Sequence, residues 1–137
     1  MRNPLSPVAA QGVPIPEDGY MDVAYSYPFN FSLTANQLSL GNPVSIQTDA
    51  DFAFRGLIFV SDGVFQVRLY DGQQYQLSAG FISSLCLPNT AGDPFPFVPE
   101  VFYPAGSRIT IDIQDLSGDA NTGQLLFVGV NRYRLGN

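Results

Sequence analysis

Hydrophobic and polar residues alternate most cleanly in "RITIDI", where Ile109, Ile111 and Ile113 fall on one face and Arg108, Thr110 and Asp112 on the other. A period of two is the mark of a half-buried strand, so the three isoleucines are expected in a core. In "VFQVRLY" the same logic turns Phe65, Val67 and Leu69 inward and leaves Gln66 and Arg68 outward. The closing run "GQLLFVGVNRYRL" is apolar on both faces at first, with Leu126, Val128 and Val130 on one and Leu125, Phe127 and Gly129 on the other. It predicts a central strand covered on two sides, with Arg132 and Arg134 sharing a face at its exposed end. Further runs at Val23–Leu33, Pro43–Thr48, Phe52–Val60, Gln74–Leu77, Phe81–Leu87 and Phe97–Tyr103 are bounded by glycine, asparagine and aspartate. No run has a helical period. Eight or nine such strands predict an all-β fold, an antiparallel, jelly-roll-like β-sandwich. Asp62-Gly63 and Asp71-Gly72 carry the signature of tight hairpins and predict that Phe52–Leu77 is a three-stranded meander.

Prolines change this picture in two places. Residues 1–19 hold Pro4, Pro7, Pro14 and Pro16 among small and polar residues, which favours extended backbone. They are read as an extended N-terminal arm on a single β-sandwich domain of residues 20–137. Such an arm is either a loose tail or a segment that orders on a neighbouring subunit, and in the second case Pro14 and Pro16 are interface residues. In "GDPFPFVPEVFYPAGSRITIDIQ", Pro94, Pro96 and Pro99 prevent a full ladder of hydrogen bonds, so the segment belongs at a sheet edge or in a crossover. Phe95, Phe97, Phe102 and Tyr103 then either cap the open end of the core or face another subunit. Pro104-Ala105-Gly106 makes the turn into the strand that follows.

Composition narrows the function. The 137 residues suit one domain; 45% are hydrophobic and only 13% charged, so much of the surface is uncharged and suited to meeting other protein. The net charge is −6, and all six basic residues are arginine, with neither lysine nor histidine. A nucleic-acid partner is not expected, because there is no basic stripe to hold phosphates. Cys86 stands alone in "SSLCLP", which excludes an internal disulfide and reads as a core position in a reduced compartment. No stretch approaches a membrane span, and the prolines near the start do not suit a signal peptide, so manufacture in the cytoplasm is expected.

Without histidine, cupin-type metal sites and Ser-His-Asp triads are closed routes. Nearly every acid sits beside a turn former; Glu100 and Asp112 are the exceptions, and a small carboxylate-dependent hydrolase would need such a pair to converge. "DIQDLSGDANTG" places Asp112, Asp115, Asp119 and Asn121 close together, which suits calcium by ligand type but not by EF-hand spacing. A polar loop is the preferred reading. Tyr70 and Tyr75 flank a predicted hairpin and would serve a carbohydrate-binding module as a platform, although ordinary cross-strand packing is the preferred reading. No catalytic residue, metal or cofactor is expected.

The succession "FRGLIFVSDGVFQVRLYDGQQYQLS", "PFPFVPEVFYPAGSRITIDIQDLSG" and "LLFVGVNRYRL" resembles small structural proteins of tailed bacteriophages, over roughly residues 50–135. The resemblance implies a noncatalytic virion protein that decorates and cements the capsid exterior by contacts with the major capsid protein. It also implies self-association, with a trimer as the guess. Interface candidates are Pro14, Pro16, Phe95, Phe97, Phe102, Tyr103, Arg132 and Arg134. A head-to-tail or neck component is the alternative within the class.

Overall fold

The computed structural model describes residues 19–87 and 95–135. Eight strands follow in order: β1 (Tyr20–Leu33), β2 (Leu38–Ser45), β3 (Asp51–Ser61), β4 (Phe65–Tyr70), β5 (Ile82–Ser83), β6 (Phe95–Tyr103), β7 (Arg108–Asp115) and β8 (Asn121–Arg134). They form two four-stranded sheets, β1-β8-β3-β6 and β2-β7-β4-β5, and every pairing is antiparallel. The chain changes sheet at each connection except β4 to β5, which is the winding of a jelly roll. The expected all-β sandwich is therefore present.

Period-two patterning decides the inner faces. Ile109, Ile111 and Ile113 are fully buried, and Phe65, Val67 and Leu69 face the core beside them. From the opposite sheet come Phe52, Phe54, Leu57, Leu125 and Phe127. Aromatic rings join the two layers: Phe65 of β4 lies 5.2 Å by ring centroid from Phe31 of β1 and 5.2 Å from Phe59 of β3.

That packing overturns the predicted meander. β3 and β4 lie in different sheets, so Ser61–Val64 crosses the sandwich and does not form a hairpin. Gly63 is absent from the positive-φ residues, and its amide instead donates to the Asn121 Oδ1 at 3.0 Å. Burying Phe59 and Phe65 on facing layers contributes roughly 1.5–3 kcal/mol each, and the crossing is what lets both be buried. At Asp71-Gly72 the chain does reverse, since the Leu77 amide donates to the Leu69 carbonyl at 2.9 Å. The expected third strand shrinks to a single bridge between Tyr70 and Gln76, and it is Gln74, not glycine, that takes the positive φ of 69°.

Two further expectations change. Phe81–Leu87 is mostly not strand: two residues pair with β4, and Ser84–Cys86 form one 3-10 turn. Cys86 is consequently exposed and not a core residue. β8 is central, between β1 and β3, but only its Leu125–Phe127 face is sealed; Leu126, Val128 and Val130 are half-buried. β6 is an edge strand, as its prolines require, and Pro104–Ser107 forms the expected turn, with Gly106 at φ 80° and the Ser107 amide on the Pro104 carbonyl at 3.0 Å.

Candidate interaction surface

The two sheets present outer faces of different chemistry. On β2-β7-β4-β5 the outward residues bond to one another. Gln66 donates to Gln114 at 2.8 Å, and Thr110 donates to Gln74 at 2.9 Å. Arg68 and Tyr70 both donate to the Asp112 Oδ2, each at 2.7 Å, while the Gly41 amide donates to its Oδ1 at 2.8 Å. Burial would raise the Asp112 carboxyl, but Tyr70, Gly41 and Arg68 outweigh it and hold the group below the usual carboxylate range. The centre of this face is a polar network, and its exposed apolar side chains, Leu38 and Leu40, lie on the edge strand β2.

The outer face of β1-β8-β3-β6 is apolar at its centre. The strand register sets Pro28, Leu126 and Ile58 in one row, and Ser26, Val128, Gly56 and Pro96 in the next. Ala24, Val130, Ala53 and Phe102 follow. Phe102 is 47% exposed and Val60, beside the first row, 61%. A rim surrounds this centre. At one end Arg132 makes a fork to Asp22, at 2.8 and 3.0 Å, and Arg134 lies over the Tyr20 ring at 5.0 Å. That Arg132 hydrogen bond holds Asp22 below its ordinary range. At the other end stand Asn30 and Gln124, bonded at 2.8 Å. Along the β6 edge Arg55 pairs with Glu100 at 2.9 Å, beside an open depression of about 380 Å³ lined by Arg55, Phe97, Val98, Pro99 and Glu100.

Three arginines on this face (Arg55, Arg132 and Arg134) meet three acids (Asp22, Asp51 and Glu100), so the whole net charge of −6 lies elsewhere on the chain. An apolar centre with a polar, charge-balanced rim is the anatomy of a protein–protein interface.

The predicted interface residues divide accordingly. Phe102, Arg132 and Arg134 are on this face or its rim. Phe95 and Phe97 turn inward, with Phe97 at 4.4 Å by centroid from Phe54, and they cap the core. Tyr103 is fully buried. Its hydroxyl donates to the Tyr70 carbonyl at 2.8 Å, and burial pushes its pKa well up; it leaves the interface set. Pro14 and Pro16, and with them Pro94, lie outside the described residues. Sequence reasoning missed Leu126 and Val128, because the two-sided apolar strand β8 was read as buried on both sides, and it singled out no outward residue on β3, where Ile58 lies. The signal that finds them is the edge-to-edge pairing of rows, which a single strand does not carry.

The other candidate chemistries are drawn apart. Glu100 pairs with Arg55 on one sheet and Asp112 with Arg68 on the other, so the two exceptional acids do not converge. Asp115 is 1% exposed and organises its loop: it accepts from the amides of Asn36, Ser117 and Gly118 at 2.8–3.0 Å, the Ser117 hydroxyl at 2.6 Å and the Asn121 amide at 3.1 Å. Burial raises this carboxyl, yet the Ser117 hydroxyl and the amides hold it far below the carboxylate range. Among the described residues no three acids or cysteines gather as a metal site. Tyr70 is spent on Asp112, which leaves Tyr75 without it as a sugar platform. Beneath Phe95 and Phe97 is an apolar cavity of only about 20 Å³, room for one water molecule and no ligand.

No protein-family profile and no curated protein sequence matches the chain. Solved structures give several weak likenesses. One is of Bacillus endospore appendages, a family of disulfide-linked pili, at 13% identity and TM-score 0.36, covering 85% of this chain and 91% of that one. The infectious bursal disease virus VP2 subviral particle aligns at 14% identity and TM-score 0.35, and the Gx strain of that virus at 14% and 0.34. This chain spans 38% of each of those two viral chains.

Proposed function

We propose that this chain is a noncatalytic structural protein of a tailed-bacteriophage particle, which decorates the outside of the capsid and cements it through protein–protein contacts. The observation that carries the reading is the outer face of β1-β8-β3-β6, apolar at its centre and balanced in charge at its rim. Solvent is a poor neighbour for that face, and protein a good one. The sequence resemblance to small phage head proteins supplies the setting.

Cementing follows from linkage. A chain that binds the assembled shell and not its free subunits stabilises the shell, by about 2.7 kcal/mol per site at a hundredfold excess over Kd. A homo-oligomer on a repeated lattice multiplies modest single contacts into tight attachment. The proline-rich residues 1–19 would lie along a neighbouring subunit at small ordering cost. The partners are then the major capsid protein and further copies of this chain, with no nucleic acid, membrane or small substrate. The net charge of −6 suits a place outside the shell, away from packaged DNA.

Purified protein added to undecorated heads tests this. Saturable binding in hundreds of copies, with heads that survive higher temperature, is the expected result. Absence of binding removes the cement reading, and binding of about a dozen copies at one vertex favours the head-to-tail alternative.

A further inference from the structure

We infer that the outer face of β1-β8-β3-β6 is a self-association surface, on which a second copy of this chain stacks about a two-fold axis with its strands reversed. This rests on the structural-protein reading only in taking the covering partner to be protein.

The arrangement of charges selects a second copy. Apart from the Arg55–Glu100 pair on the β6 edge and Asp62 beside Thr122, the charged groups of the face collect at one end, at Asp22, Asp51, Arg132 and Arg134, and uncharged amides stand at the other, at Asn30 and Gln124. Rotation about an axis near Val128 exchanges the row of Leu126 with that of Val130, and the row of Gln124 with that of Arg132. Each charged end then lies over the partner's amide end. An amide both donates and accepts, so it satisfies guanidinium and carboxylate alike, and the two charged ends are not opposed to each other. A chain of net charge −6 repels its copies over most of its surface, but this face contributes nothing to that repulsion.

Shape and size agree. Sheets stack face to face when their mean strand directions lie within about 30°, which a reversed two-fold permits. Four strands about 4.8 Å apart, over nine residues rising about 3.3 Å each, present a plane on the order of 600 Å². Side-chain relief, and the Val98 side chain, 89% exposed beside the edge depression, bring the accessible area towards the roughly 800 Å² per partner of a stable pair. Pairing replaces the trimer that the resemblance implies. On the opposite sheet the central outward groups already bond to one another, and the exposed apolar side chains, Leu38, Leu40 and Leu85, stand apart at its edges, on β2 and in the turn after β5.

Sedimentation equilibrium of the full chain alone, from about 1 to 100 μM, tests the inference. A dimer is expected. Val128→Asp, at the proposed axis, and Val60→Asp, at an exposed position that folding tolerates, should each weaken it tenfold or more with circular dichroism unchanged, while Ser45→Asp on the other sheet leaves it intact. A monomer throughout the range overturns the inference, as does a trimer or a dimer indifferent to both face variants. So does stronger association after removal of residues 1–18, which would mean that the arm covers its own face. A chain that dimerises but does not bind heads keeps this inference and removes the capsid reading; a monomer that binds heads does the reverse.

Discussion

Asp115 shows how much one side chain holds in a small sandwich. Its carboxylate joins the β1–β2 loop through Asn36 to the β7–β8 loop through Ser117 and Gly118, and Asn121 extends the node to Gly63 and Val64 on the β3–β4 link. Removal leaves several buried donors unpaired. Asp115→Ala is expected to lower the melting temperature by more than about 5 °C, against less than about 1 °C for the exposed Asp119→Ala, as read by calorimetry. Sequence reasoning put Asp115, Asp119 and Asn121 in one polar loop, with calcium as the lesser alternative, but it grouped with them Asp112, which lies in β7 and bonds Arg68 and Tyr70. The donors to Asp115 at Ser117, Gly118 and Asn121 are near in sequence, but the Asn36 amide and the Gly63 and Val64 partners of Asn121 come from distant loops, and no local pattern encodes those. Cys86 makes the opposite point: its apolar neighbours suggested burial, but a 3-10 turn exposes it. A thiol reagent should therefore modify it in the native protein as fast as in urea, and protection of tenfold or more would contradict the exposed turn.

At the scale of elements, the strands were legible and their partners were not. β7 and β4 announce their inner faces by strict alternation, and prolines announce β6 as an edge. The Asp62-Gly63 signal nevertheless misled, because a corner between sheets and a hairpin within one use the same residues; the choice is made by where Phe59 and Phe65 find apolar contact. The apolar outer face was half legible. Both faces of "LLFVGV" were seen, but register against β1 and β3 was needed to show that one faces outward. β1 is also a 14-residue edge strand, a place where extended chain can add. Deletion of residues 1–18 is expected to weaken attachment to heads while leaving the melting temperature within about 1 °C, and a fall of 5 °C or more would show that the arm belongs to the fold.

The whole molecule titrates as a set of acids and tyrosines, since it has no histidine. Asp22, Asp112 and Asp115 all have folded pKa values below the ordinary one. The unfolded chain then binds more protons, and the stability these groups contribute is present above about pH 4 and lost as pH falls through their folded values. Tyr27, Tyr70 and Tyr103 are raised, so their contribution is present below about pH 10 and lost above it. Urea midpoints should be flat from about pH 5 to 8 and fall on both sides, and Asp115→Asn should shrink the acid slope; an unchanged slope would assign the effect elsewhere. Charge at this scale also separates a neutral, apolar sheet face from an acidic remainder, and that asymmetry is what the proposed role uses. The most direct measurement is a cryo-electron microscopy map of intact particles that carry this chain. Many copies on the outside of the shell, with the β1-β8-β3-β6 face covered by protein, is the predicted result; particles without the chain, or copies whose β1-β8-β3-β6 face is open to solvent, would contradict it.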